Sequence, residues 1–105
     1  MKKQEQIKIN KMIEEEQEKA WKESHYYDGK RLRYCNAFVF ESENYYFLRS
    51  YNTIVAFINK KTKATYDILR LMYGYTSTSA QHISKFRHDY TPYPWNNPVY
   101  TWRYV

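Results

Sequence analysis

Apolar positions recur along the chain with two different periods, and these divide it into elements. Residues 2 to about 24 contain no Gly or Pro, and Ile9, Met12, Ile13, Ala20 and Trp21 lie on one side at helical spacing. Glu16 and Gln17 interrupt that stripe. Most other positions are good helix formers, and Glu15–Lys19 and Glu18–Lys22 add i,i+4 pairs worth about 0.3 kcal/mol each. The pattern predicts an amphipathic N-terminal helix. It can dock on the rest of the chain, pair with a second copy, or lie across a partner.

Beyond residue 24 the pattern changes to short runs rich in Val, Ile, Tyr and Phe, separated by polar turns. Strands are predicted over residues 36–40, 45–50, 53–59 and 64–69, with turns at Glu41-Ser42-Glu43-Asn44 and Lys60-Lys61-Thr62-Lys63. The run 53–59 is the most apolar and reads as a buried strand. Ile68 to Met72 fits a strand or a helix, and propensity does not separate them. Thr78 with Gln81 fits a capping box, opening a helix whose inward face is Ile83, Phe86 and Tyr90 and which stops before Pro92. Most of His82, Lys85, Arg87 and His88 are expected to face water. The tail holds Pro92, Pro94 and Pro98, then Tyr100, Trp102 and Tyr104 alternating with Thr101 and Arg103. That period of two predicts a strand with one aromatic face. It can join a sheet edge, pack under the N-terminal helix, or dock on another molecule.

The fold expected is α+β: an antiparallel sheet of about four strands, a packed C-terminal helix and the N-terminal amphipathic helix alongside. Residues 1–24 form the helix and 25–105 the small domain. A chain of 105 residues is one domain by size.

Composition adds two things. Aromatics make up 20% of the residues and 13 of them are Tyr, too many to bury in so small a core. Some therefore form surface, either as half-exposed strand faces or as a recognition face. The net charge of +6 lies wholly beyond residue 24, because the N-terminal segment balances six Lys with six Glu. A basic, aromatic-rich body points to nucleic acid or to a complex that handles it. Lys30, Arg31 and Arg33 form the densest basic cluster, beside Tyr26, Tyr27 and Tyr34. Lys60, Lys61, Lys63, Lys85 and Arg87 are the other contact candidates, with the three tyrosines as stacking candidates. The plainer alternative is a solvated loop and turn.

Catalytic and cofactor chemistry finds little support. Only Gly29 and Gly74 are available, so no Gly-rich phosphate loop exists, and no cofactor is expected. His82 and His88, six apart on one helix, point about 240° apart and cannot chelate together. Cys35 lacks a neighbouring His or Cys at metal-ligand spacing. A nucleophilic Cys35 with a distant His stays open, but a lone Cys in a strand is usually a small core residue. Glu41 and Glu43 as a carboxylate pair fall in an expected turn. A non-enzymatic protein is expected. The hydroxyl-rich start of the last helix, with Ser77, Thr78, Ser79 and His82, could form an anion pocket, or could simply cap the helix. With one Cys, no internal disulfide forms and a reducing cytoplasm fits. No run approaches the roughly 20 apolar residues that span a bilayer, and no membrane partner is expected.

Ser50-Tyr51-Asn52-Thr53-Ile54-Val55-Ala56, followed by Gly74-Tyr75-Thr76-Ser77-Thr78-Ser79 and His82, resembles a small uncharacterised domain of bacteriophages, plasmids and integrative elements of Gram-positive bacteria. There a Ser-Tyr-x-Thr-x-Val-Ala strand precedes a Gly-Tyr-Ser-x-Thr-Thr-x-x-His helix start. Thr76 stands here where Ser is usual, and Ser79 where a second Thr is usual. The likeness covers about residues 47 to 90. It implies a small accessory protein of a mobile element and transfers no site residue. Three functions follow as expectations: binding of nucleic acid or a nucleic-acid-bound host complex, inhibition of a host defence system (anti-CRISPR-like) through the aromatic surface, or a homo-oligomeric structural component assembled through the N-terminal helix.

Overall fold

The long apolar run becomes the middle of a sheet with a helix on each face. The computed structural model describes residues 2–24 and 29–105. In chain order the elements are α1 (Lys2–Trp21), β1 (Lys30–Arg31), β2 (Ala37–Glu41), β3 (Tyr45–Ser50), β4 (Thr53–Asn59), β5 (Thr65–Asp67), α2 (Leu69–Met72), α3 (Ser77–Tyr90) and β6 (Val99–Thr101). The α+β class is as expected. The sheet is not the four-stranded antiparallel one: it has six strands in the order β1-β2-β3-β4-β5-β6. β1 and β6 extend its two edges, and β6 runs parallel to β5. The parallel pair arises because the chain returns through α2, α3 and the proline-rich tail, a crossover rather than a hairpin.

β4 is buried along almost its whole length, and one irregularity explains how. Leu48 pairs with Ala56 but Arg49 pairs with Ile54, so Val55 is an extra residue in the ladder. The bulge lets Val55 and Ala56 both serve the α3 side, while Ile54 and Phe57 serve the α1 side. Against α1 lie Phe40, Tyr45, Phe47, Ile54, Phe57 and Tyr66. Against α3 lie Ala37, Val39, Leu48, Ala56 and Ile58, meeting Ile83 and Phe86.

α1 therefore docks on the sheet through the stripe the sequence marks. Ile13 and Ala20 are fully buried, Ile9 and Trp21 pack beside them, and burying Ile13 alone contributes about 2 kcal/mol. Trp21 meets the rings of Phe47 and Phe57 edge-on at 5.9 and 5.7 Å. Glu16, which interrupts the stripe, accepts hydrogen bonds from the Tyr45 hydroxyl and, at 3.0 Å, from Asn59 Nδ2. Burial and that carboxylate push the Tyr45 hydroxyl far above its ordinary pKa. Asn10 holds the tail, accepting from Arg103 N and donating to Arg103 O.

Other element ends differ from expectation. Residues 68–72 resolve into the short helix α2. The cap of α3 is Thr76, whose hydroxyl accepts from Ser79 N at 3.2 Å, rather than Thr78. Cys35 lies in the loop after β1, half-exposed, not inside a strand. The tail strand is short: Tyr100 packs on Tyr66 at 5.4 Å, while Trp102 and Tyr104 lie beyond it. The stretch between α3 and β6 folds back, with Trp95 stacked on His88 at 4.2 Å.

Candidate functional site

The register decides where the cations go. Lys30 pairs with Val39 and Arg31 with Phe38, so adjacent residues send their side chains to opposite faces. Lys30, on the α3 face, lines a cavity of about 250 Å³ with Val39, Glu41, Tyr46 and Tyr90. Lys60 reaches the same place: its ammonium is 2.6 Å from Glu41 and 4.8 Å from the centre of the Tyr46 ring. Burial raises the pKa of the Tyr90 hydroxyl. Arg31 turns to the α1 face, where its guanidinium lies 4.9 Å from the centre of the Phe38 ring.

The loop after β1 rounds the end of the sheet, and Cys35 ties its two sides together. The Cys35 carbonyl accepts from Arg31 at 3.0 Å, and its sulfur lies 3.4 Å from the Lys85 ammonium on α3. Arg33, in the left-handed region at φ +52°, grips Asp89 with two donors at 2.9 and 2.6 Å. Those hydrogen bonds hold the Asp89 carboxyl below the usual carboxylate range. Tyr34 projects from the loop fully exposed. Arg31, Arg33, Tyr34 and Lys85 are thus brought to one corner.

Lys60, Lys61 and Lys63 are not at that corner. Their turn abuts Asn44, with Lys60 N donating to Asn44 O. The corner loop abuts the opposite hairpin, with Tyr51 N donating to Asn36 O. The five residues of β2 separate the two groups by roughly 15 Å. A single basic face collecting all the predicted cations is therefore corrected to two groups at opposite ends of the sheet. Arg87 is also not a free contact group. It is half-buried and donates to the carbonyls of Trp95 and, at 2.9 Å, Asn97, so it braces the tail. Tyr26 and Tyr27 lie outside the described residues.

The anion-pocket candidates divide as well. Ser77 and Thr78 are exposed on the first turn of α3. Ser79 and His82 face inward and are buried, so His82 is not among the helix residues expected to meet water. The Ser50 hydroxyl lies 2.8 Å from His82 Nδ1 and 2.9 Å from the Ser79 hydroxyl. All three residues are under 5% exposed. A buried hydroxyl-imidazole knot needs every member paired, and these three pair with each other. Burial lowers the His82 pKa, and Lys85 adds to the shift. The buried Ser50–His82 contact ties the β3–β4 hairpin to α3. Tyr51 at the hairpin tip takes φ +59°, and its ring lies 5.9 Å from that of His82.

Two further features were not among the predicted site residues. Arg49 sits over both Phe38 and Phe40, at 5.1 and 5.3 Å. Its signal was present in the alternation: residues 45 and 47 of β3 face a core, and 49 puts a charge on that same face. The second feature is an aromatic surface. The Arg70 guanidinium lies 4.6 Å from the centre of the Tyr75 ring, the Tyr104 hydroxyl donates to Arg70 O at 2.6 Å, and Trp102 meets Tyr104 edge-on at 5.0 Å. These residues come from α2, the loop after it and the tail beyond β6, so no local pattern marks them. Among the described residues no group of three or more His, Cys, Asp or Glu is placed to hold a metal ion. No helix among them is long and apolar enough to cross a membrane.

Fold and surface together define a helix–sheet–helix α+β domain with a buried polar knot and, among the described residues, a cationic corner and an exposed aromatic surface. Residues 21–92 match a family of unknown function, DUF8033, and the chain belongs to that family. The match takes in β1 to α3, including both halves of the Ser50–His82 tie. No curated protein and no solved structure matches the chain.

Proposed function

We propose that this is a non-enzymatic accessory protein that binds nucleic acid, or a complex that carries it, through the corner made by β1, the loop after it and α3. The observation that carries this is the setting of Tyr34. A wholly exposed ring projects from the loop that carries Arg31 and Arg33 and meets Lys85, and among the described residues only Asp89 forms an ion pair there. Cations that position a backbone beside an aromatic that can stack on a base are the usual parts of a single-strand contact. The Lys60–Lys63 turn is not part of it. The test is anisotropy of a labelled single-stranded oligonucleotide between 50 and 200 mM salt. Affinity should fall steeply with salt, because binding releases counterions, and Lys85→Glu should weaken it. No binding at 50 mM, or binding indifferent to salt, overturns the reading.

A second reading is favoured by the Arg70–Tyr75–Trp102–Tyr104 surface. Arg, Tyr and Trp dominate interface hot spots, and Tyr75 and Tyr104 are more than half exposed. For a mobile-element protein, as the sequence resemblance implies, the partner would be a host defence protein. Binding would then be insensitive to salt and lost in Tyr104→Ala. Assembly through α1 has less support, since its apolar stripe is spent on the sheet.

A further inference from the structure

We infer that Arg31 and Arg49, both set against the Phe38 ring, form a two-guanidinium site for one phosphoryl group. This rests on the nucleic-acid reading for the source of the phosphate, but not for the site's existence. Arg31, Phe38 and Arg49 are register neighbours across three adjacent strands on the α1 face: Arg31 opposes Phe38 and Phe38 opposes Arg49. Both guanidiniums lie against the same ring, at 4.9 and 5.1 Å from its centre. The two charges are therefore at most about 10 Å apart.

Two like charges set against one ring repel one another, and each contact with the ring's π face offsets this by roughly 0.5–1 kcal/mol. A carboxylate would relieve the repulsion, yet neither arginine forms an ion pair among the described residues. Arg31 satisfies one donor on the Cys35 carbonyl. Arg49 satisfies none with an acceptor among the described residues, and its Nε is shut from solvent without a hydrogen-bond partner among them. A buried charged donor left unmade costs free energy; Arg49 as a whole is only half-buried, and a shift of its fork toward a bound oxyanion would remove that cost. The planar forks of two arginines suit the tetrahedral oxygens of phosphate, which a point charge would match less well. A phosphodiester on a single strand and a free phosphate compound offer the same oxygens.

The Nε–H resonance of Arg49 in two-dimensional NMR reads the site directly. Inorganic pyrophosphate should shift it in the full-length protein, and so should a single-stranded oligonucleotide. Arg49→Lys keeps the charge but loses the fork, and should weaken pyrophosphate binding by about tenfold. Lys61→Glu, at the opposite end of the sheet, should leave pyrophosphate binding at this site in place. An Arg49 resonance that neither ligand moves overturns the inference, even if the oligonucleotide binds elsewhere on the corner. A shift with pyrophosphate alone upholds the site and overturns the nucleic-acid reading, so the two fail separately. An Arg49→Lys protein that is folded by its spectrum and binds pyrophosphate undiminished also overturns it.

Discussion

Replacing Ser50 with Ala should cost more stability than its single hydroxyl suggests. That oxygen is the hub of the buried knot: it meets His82 Nδ1 at 2.8 Å and the Ser79 hydroxyl at 2.9 Å. Removing it orphans two polar atoms where all three side chains are shielded from water. Each such atom costs about 1–3 kcal/mol. The Ser79 hydroxyl can recover part of its share by turning to a carbonyl one helical turn back. The expected loss is therefore about 3 kcal/mol, or roughly 10–20 °C in melting temperature for a domain of this size. Ser79→Ala leaves the Ser50–His82 contact intact and should cost only about 1 kcal/mol. The double variant should cost less than the sum of the two, because Ser79 no longer leaves an orphan, giving a coupling of roughly 1 kcal/mol. Urea unfolding followed by circular dichroism measures all three. A Ser50→Ala loss below about 0.5 kcal/mol, or strict additivity in the double variant, would refute the idea that the motif serine and histidine act as a structural tie.

Further outcomes follow from the same contacts. His82 has its pKa lowered from the ordinary 6.5 by burial. The unfolded chain then takes up a proton that the folded one resists, so stability should fall as pH drops below about 6.5 and level off below the folded pKa; His82→Asn should flatten that slope in denaturant titrations at several pH values. Trp21→Ala removes two edge-on ring contacts that hold α1 to the sheet, and should cost about 3 kcal/mol in chemical unfolding. Arg87→Ala frees the Trp95 and Asn97 carbonyls, and limited proteolysis should then cut within residues 92–98 faster than in the parent. Lys61→Glu with Lys63→Glu should leave oligonucleotide affinity unchanged, whereas Lys85→Glu should lower the salt slope by about one; equal effects would merge the two ends of the sheet into one site.

Much of this protein is written in local pattern. The α1 stripe, the β2–β3 and β3–β4 hairpins and the inward face of α3 follow from side-chain period, because a residue's neighbours along one element are set by the geometry of that element alone. Thr76 as the cap instead of Thr78 is a slip of two residues within the same hydroxyl-rich run. Tertiary structure alone decided the rest. β1 is too short to register as a strand and exists because an edge of the sheet offers it a partner; the tail's period of two marks a strand, but only the tertiary structure decided that it is short and joins β5 in parallel. His82 reads as a polar helix residue until Ser50, 32 positions away, supplies the hydrogen bond that makes its burial affordable. Lys30 and Arg31 are neighbours in sequence, but the pleat sends them to opposite faces. Arg31 and Arg49 are eighteen residues apart, and pairing on either side of β2 sets them against one ring. Charge is legible from sequence; its convergence depends on strand register and loop path, which no single segment encodes.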